Sequence, residues 1–307
     1  MVIAVPSSES EALRRYFEDK RQLFADNPDV SFAVRRALIE DIHECTAEPA
    51  DVTYEEVEIG PRRGLWCLPR AARPDKVILY LHGGGFALQS IHSHRKLAGH
   101  LAKAARSRVA LIDYRRTPEH VFPSQIEDTI TGYDWLLGQG YAGRDIAICG
   151  DSAGGGLAVM ASVWLRDSQR ELPAAVCAFS PWVDLECAGE SMRTNAHLDA
   201  FITRELAEQL TALYLGPTGS PTDPKANVFH ADLDGLPPTF VAAGGHEALL
   251  SDAERLAERL MNAGVDVSFD VWPAQQHVHA FMAGRAAEAD DVINAAAAWI
   301  GNHWNAG

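Results

Sequence analysis

The stretch that most constrains this chain is Gly150-Asp151-Ser152-Ala153-Gly154-Gly155-Gly156. It follows the apolar run Ile146-Ala147-Ile148-Cys149 and precedes a helix-like run through Leu157, Met160, Ala161 and Trp164. A buried strand, a glycine-lined turn and a helix are the context that a Gly-x-Ser-x-Gly nucleophile turn requires. Gly150 and Gly154 carry no side chains, so the turn can close tightly and hold Ser152 in a strained conformation. The serine hydroxyl would then project at the carboxyl end of a sheet. A phosphate loop is the competing reading of such a turn, because a helix amino end attracts anions. Neither Gly-x-Gly-x-x-Gly spacing nor a following Lys-Ser or Lys-Thr is present, so that reading is weak.

The rest of the chain supplies the sheet. Residues 8–24 and 31–44 read as amphipathic helices separated by Asn27-Pro28. Val52–Ile59 and Gly64–Leu68 read as two strands joined at Gly60-Pro61, an antiparallel hairpin at a sheet edge. From residue 76 strands alternate with helices. Strands are expected at 76–81, 109–112, 146–149, 175–179, 239–243 and 267–272, and helices at 93–106, 124–138, 153–166, 252–263 and 286–302. This alternation predicts an α/β fold with a mostly parallel central sheet flanked by helices. The interval 184–236 carries Pro217, Pro221 and Pro224, a helix near 203–214 and no strand pattern. An insertion of that length beside a sheet is usually functional. With residues 1–45 it is expected to form a helical cap over the strand ends, leaving 46–307 as the catalytic domain.

Composition narrows the partners. With 42 acidic against 27 basic residues the formal charge is −15, which argues against nucleic acid or an anionic membrane as a partner. No apolar run approaches the roughly 20 residues that span a bilayer. The opening Met1-Val2-Ile3-Ala4-Val5-Pro6 lacks the basic segment and apolar core of a leader peptide. Five scattered cysteines without Cys-x-x-Cys spacing suggest a reduced, cytoplasmic setting without structural zinc, Cys149 and Cys177 being core thiols.

His82-Gly83-Gly84-Gly85 follows the strand at 76–81. A glycine run there leaves backbone N–H groups unobstructed, as an oxyanion hole needs. Paired with Gly-Asp-Ser-Ala-Gly downstream, it assigns Gly83 and Gly84 as oxyanion donors beside the N–H of Ala153. His82, which precedes the serine, is expected to brace that loop rather than act as the base.

These two signatures, with Asp113–Pro123 (Asp-Tyr-Arg-Arg-Thr-Pro-Glu-His-Val-Phe-Pro) and Ser180-Pro181-Trp182-Val183-Asp184-Leu185, resemble the hormone-sensitive lipase-like branch of the α/β-hydrolases. Arg116 and Thr117 depart from that branch's pattern. The resemblance runs from about residue 52 to the end. It implies an N-terminal helical cap, hydrolysis of short- to medium-chain carboxylic esters through an acyl-enzyme, no cofactor, and by analogy a homodimer through the sheet edge.

In this fold the acid and then the base follow the serine. After the strand at 239–243, Glu247 and Asp252 compete. Ser251-Asp252-Ala253-Glu254 reads as a helix capping box, which gives Asp252 a structural reason to be there. Glu247 has none, and the resemblance places the acid two residues before Leu249, where Glu replaces the commoner Asp. Glu247 is therefore favoured. For the base, the resemblance puts a histidine four residues after Pro273, which selects His277. His279-Ala280-Phe281 mimics the branch's His-Gly-Phe and keeps His279 in play. Trp182, Phe86, Phe201 and Tyr214 are candidates for pocket lining or core, and Asp184 and Asp199 for turns or caps. Glu119-His120 is expected to stabilise the loop into Pro123.

Overall fold

A computed structural model describes residues 6–305. Met1–Val5, on which the leader reading partly rests, lie outside the described residues, as do the last two. Eight strands form one sheet: β1 (Val52–Ile59), β2 (Arg62–Pro69), β3 (Arg73–Leu81), β4 (Ser107–Ile112), β5 (Ile146–Asp151), β6 (Ala175–Phe179), β7 (Thr239–Gly244) and β8 (Val267–Trp272). Their order is β1-β2-β4-β3-β5-β6-β7-β8. From β4 to β8 the pairing is parallel, and β2 runs antiparallel to both β4 and β1. The hairpin expected at the edge is present: Ile59 pairs with Arg62 around Gly60, whose φ is +58°.

Strand periodicity divides the core into two layers. Val77, Leu79 and Leu81 of β3 face one side, with α4 (Ser124–Gly138), α5 (Ala153–Asp167) and α8 (Leu250–Asn262). Ile78 and Tyr80 face the other, with α3 (Ile91–Ala105) and α9 (Ala287–Asn305). Successive side chains of a strand point to opposite faces, so a strand covered on both faces must be apolar throughout. β5, β6 and β7 are buried along their whole length, as their uninterrupted apolar runs require.

The remaining helices are α1 (Glu11–Asp26), α2 (Phe32–Ile39), α6 (Ser191–Thr194) and α7 (Arg204–Leu215). The helix expected at 31–44 is shorter: Ser31 caps α2, and Glu40–Cys45 tightens into a 3-10 turn. The capping box at Ser251 does not form. The α8 helix begins at Leu250, so Ser251 lies inside it and its hydroxyl instead accepts the Ser191 N–H at 2.9 Å. No strand forms within 184–236.

The order of the sheet places the site. The chain leaves β3 for β4 on one side and returns to β5 on the other, so β3 and β5 are neighbours whose outgoing loops diverge. A crevice outside the carboxyl ends of the strands at such a reversal is where ligands bind in α/β sheets. The glycine-rich loop after β3 and the serine turn after β5 both open into it.

Candidate active site

The serine turn is built by close approach. A Cβ on Gly150 would lie 2.3 Å from the Gly154 carbonyl, and one on Gly154 would lie 2.0 Å from the Leu81 carbonyl. With both positions bare, β5 passes directly into α5 and Ser152 takes φ +52°, ψ −122°. That conformation costs about 1–3 kcal/mol and persists when the surroundings over-determine it. Here the Ser152 N–H donates to Phe179 O at 2.8 Å, and its carbonyl accepts from Trp182 at 2.9 Å.

Three loops converge on the hydroxyl. His277, on the loop after β8, holds Nε2 2.9 Å from Ser152 Oγ. Its Nδ1 stands 2.9 Å from Glu247 Oε2, on the loop after β7. The other oxygen, Oε1, accepts from Ser180 Oγ at 2.6 Å and from the Gly244 N–H. Ser180 Oγ in turn accepts the Val278 N–H at 3.0 Å. The carboxylate is thus anchored at one oxygen and presents the other to the imidazole. Burial disfavours a charged His277, but the hydrogen bond and charge of Glu247 outweigh it and raise the histidine above its ordinary value. Burial also raises Glu247, against the lowering effect of His277, Ser180 and Gly244.

The competing residues lie elsewhere. Asp252 Oδ2 accepts the N–H groups of Val183 and Asp184, at 3.0 and 2.9 Å. Burial pushes its carboxyl up to about 7. His279 packs against Trp272 with ring centres 5.4 Å apart, and burial pushes it down to about 4.

One expectation needs correction. The Gly83 N–H is already committed: it donates to His94 Nε2 at 3.2 Å, and Gly83 does not line the cavity at Ser152. Gly84 and Gly85 do line it. Their N–H groups, like that of Ala153, have no acceptor among the described residues. The register of free donors in the glycine run is therefore one residue later than the sequence suggested. His82 braces the loop, its Nδ1 2.8 Å from Gly83 O and its ring stacked 4.2 Å from Tyr114.

Comparison with known proteins is decisive at this point. A family model described as alpha/beta hydrolase fold matches residues 78–282. An esterase from the bacterial hormone-sensitive lipase family superposes with a TM-score of 0.93 at 38% identity, covering 98% of this chain and 100% of that one. The chain belongs to the hormone-sensitive lipase-like α/β-hydrolases. Among similar proteins are an acetyl-hydrolase of Streptomyces hygroscopicus, 40% identical over 75% of each chain. Another is an esterase of Acinetobacter venetianus, 33% identical over 85% of this chain and 78% of that one.

In this α/β-hydrolase the cavity at Ser152 measures about 50 Å³ and is mostly apolar. Phe17, Ile39 and Ile42 reach it from the N-terminal segment, and Phe201, Leu206 and Leu210 from the insertion. Phe17 and Phe201 stack at 5.2 Å, joining the two segments over the strand ends. Leu88, Phe201, Leu206 and Leu210 also border an outer groove of about 560 Å³ between α1, α2 and α7. Trp182 and Phe201 line the inner cavity, whereas Phe86 and Tyr214 stack at 4.0 Å behind Trp182 as core.

Three further polar residues tie the loops of the site together: Asp184 and Asp199, which make turns as expected from the sequence, and Ser180, to which the sequence assigned no role. Asp199 Oδ1 accepts from Phe201 and Ile202, and its Oδ2 accepts the Ala248 N–H at 2.8 Å, tying the insertion to the Glu247 loop. Asp184 spans Glu186 and Ala188 and pairs with Arg255. Ser180 links acid and base as described. Glu119, expected to serve its own loop, pairs instead with Arg36 of α2 at 2.6 and 2.8 Å, which holds its carboxyl down at about 2. Among the described residues no helix is long and apolar enough to cross a membrane.

Proposed function

We infer that this α/β-hydrolase is a serine carboxylesterase, acting on small ester substrates through an acyl-enzyme. The observation that carries the reading is the hydrogen-bonded line Glu247–His277–Ser152 ending in an apolar cavity. In it Ser152 attacks the ester carbonyl as His277 Nε2 takes its proton. Glu247 fixes the imidazole tautomer and stabilises the imidazolium that forms. The N–H groups of Gly84, Gly85 and Ala153 receive the charge on the carbonyl oxygen, where fixed dipoles do most for the transition state. His277 then protonates the leaving alcohol, and a water activated by the same histidine releases the acid.

The apolar lining of the inner cavity and of the groove beyond it supports short- to medium-chain acyl groups. Residues 1–45 and the 184–236 insertion act as a cap on the catalytic domain. No cofactor enters this chemistry. The five unpaired cysteines support a cytoplasmic setting. Strand β8 at the sheet edge, with Val271 exposed, supports a homodimer paired there.

Initial rates with p-nitrophenyl esters from acetate to palmitate, beside Ser152→Ala, test the reading. Turnover peaking at short or medium chains, with the burst lost in the variant, is expected. An undiminished burst in folded Ser152→Ala removes Ser152 as nucleophile.

A further inference from the structure

Gly83, displaced from the donor set, points to a different device. His94 is fully buried on the first turns of α3, and its ring is wedged by polar contacts on both nitrogens. Nε2 stands 3.2 Å from the Gly83 nitrogen, whose N–H donates to it, and Nδ1 faces Ser93 Oγ at 3.0 Å and Ser90 O at 3.3 Å. Asp151 Oδ2 stands 3.2 Å from the same Nε2, and Asp151 Oδ1 accepts from Tyr80 Oη at 2.9 Å. The carboxylate presses on the glycine itself: a Cβ at Gly83 would fall 2.3 Å from Asp151 Oδ2 and 3.2 Å from Ser152 Cβ. The loop after β3 and the turn after β5 are therefore clamped together at Gly83, one residue before the first free donor and one residue before the nucleophile.

We propose that His94 is a positioning residue, which with Asp151 fixes the peptide at Gly83 so that the next two N–H groups aim at the substrate oxygen. The proposal rests on the esterase reading. The physical reason is geometric. Fixing one peptide of a short loop limits the directions its neighbours can take, and oxyanion donors act through placement rather than number. The rest of the loop is anchored elsewhere. Tyr114 Oη holds His82 O at 2.7 Å, Thr117 N–H donates to Phe86 O at 2.9 Å, and Leu88 N–H to Gly84 O at 2.8 Å. At the Gly83 amide the restraint is His94. His94 does not touch the cavity, so it orients the loop and makes no contact with the ester.

Three variants separate positioning from mere packing. His94→Gln can place an oxygen where Nε2 stands, His94→Asn reaches only as far as Nδ1, and His94→Leu offers no acceptor. Expected is a loss in kcat of about 10- to 100-fold for the Leu and Asn variants, with KM within about twofold and partial recovery in Gln. Affinity for a trifluoromethyl ketone, which generates the oxyanion, should fall in step with kcat/KM, while that for the product carboxylate should not. A folded His94→Leu or His94→Asn with wild-type kcat overturns the proposal. So does an equal loss in all three that follows their melting temperatures. Failure of the wild-type enzyme to hydrolyse any ester would strike the esterase reading instead, and ketone affinity across the variants would still report on the loop.

Discussion

At the level of single residues, the proposed chemistry hangs on one imidazole whose surroundings oppose each other. Burial acts to keep His277 neutral, and Glu247 acts to charge it, with the carboxylate prevailing. A protonated His277 cannot accept the serine proton, so activity must fall as pH drops through its pKa. The acidic limb of kcat/KM is therefore expected above the ordinary histidine value of about 6.5. Glu247→Gln removes the raising influence and should move that limb downward, with kcat reduced on the order of 10⁴-fold as in other triads whose acid is neutralised. A limb that stays in place would assign it to another group. Glu in place of Asp is accommodated because the longer side chain still finds two anchors, Ser180 Oγ and the Gly244 N–H, behind its reactive oxygen.

Elements show where local rules were overridden by packing. The Ser251–Glu254 pattern has the letters of a capping box, yet α8 starts two residues earlier than such a cap would allow, and Ser251 is spent on Ser191. Asp252, in the first turn, supports the β6 loop from beneath through two N–H groups while its Oδ1 remains without a partner. Its carboxyl is raised by burial from 3.8 to about 7. The native state thus binds the extra proton between those values, and its stability falls as pH rises through that window. Asp252→Asn keeps an acceptor for both N–H groups and should flatten the slope. Melting temperatures at pH 5 and pH 8 are expected to differ less in the variant than in the wild type. An unchanged difference would place the slope elsewhere. The glycine run after β3 is the same lesson at finer grain. Its composition announces exposed N–H groups, but His94, eleven residues on, decides which of them is free.

Across the whole molecule, the N-terminal segment is wired to the catalytic loops rather than laid over them. Arg36 of α2 donates to Ala87 O and Thr117 O, each at 2.7 Å, and forks onto Glu119. Those carbonyls flank the glycine loop. Arg36→Ala should cost about 1–3 kcal/mol, since it strips charged donors from partly buried acceptors. It should also lower kcat, because the loop loses a strut. Urea unfolding and steady-state rates measured together check this, and normal values for both would mean that the segment only covers the site. Arg36→Lys is expected to recover little, as one ammonium cannot replace a planar fork.

What the sequence determined by itself was everything encoded at short range. Uninterrupted apolar runs made β5, β6 and β7 central strands, because only residues without polar demands tolerate burial on both faces. Gly150 and Gly154 fixed the serine turn, since no Cβ fits beside the carbonyls that close it. The family signatures followed from the same local needs. Tertiary structure decided whatever depended on meeting a distant partner. His277 rather than His279 stands against Ser152, and Glu247 rather than Asp252 against His277, because the loops after β7 and β8 arrive side by side. Ser180 and Asp199 became struts in the same way, and Gly83 ceded its place to Gly85 because a histidine on α3 claims its N–H. Spacing along a chain sets which residues can bend, and only the packed sheet sets which of them meet.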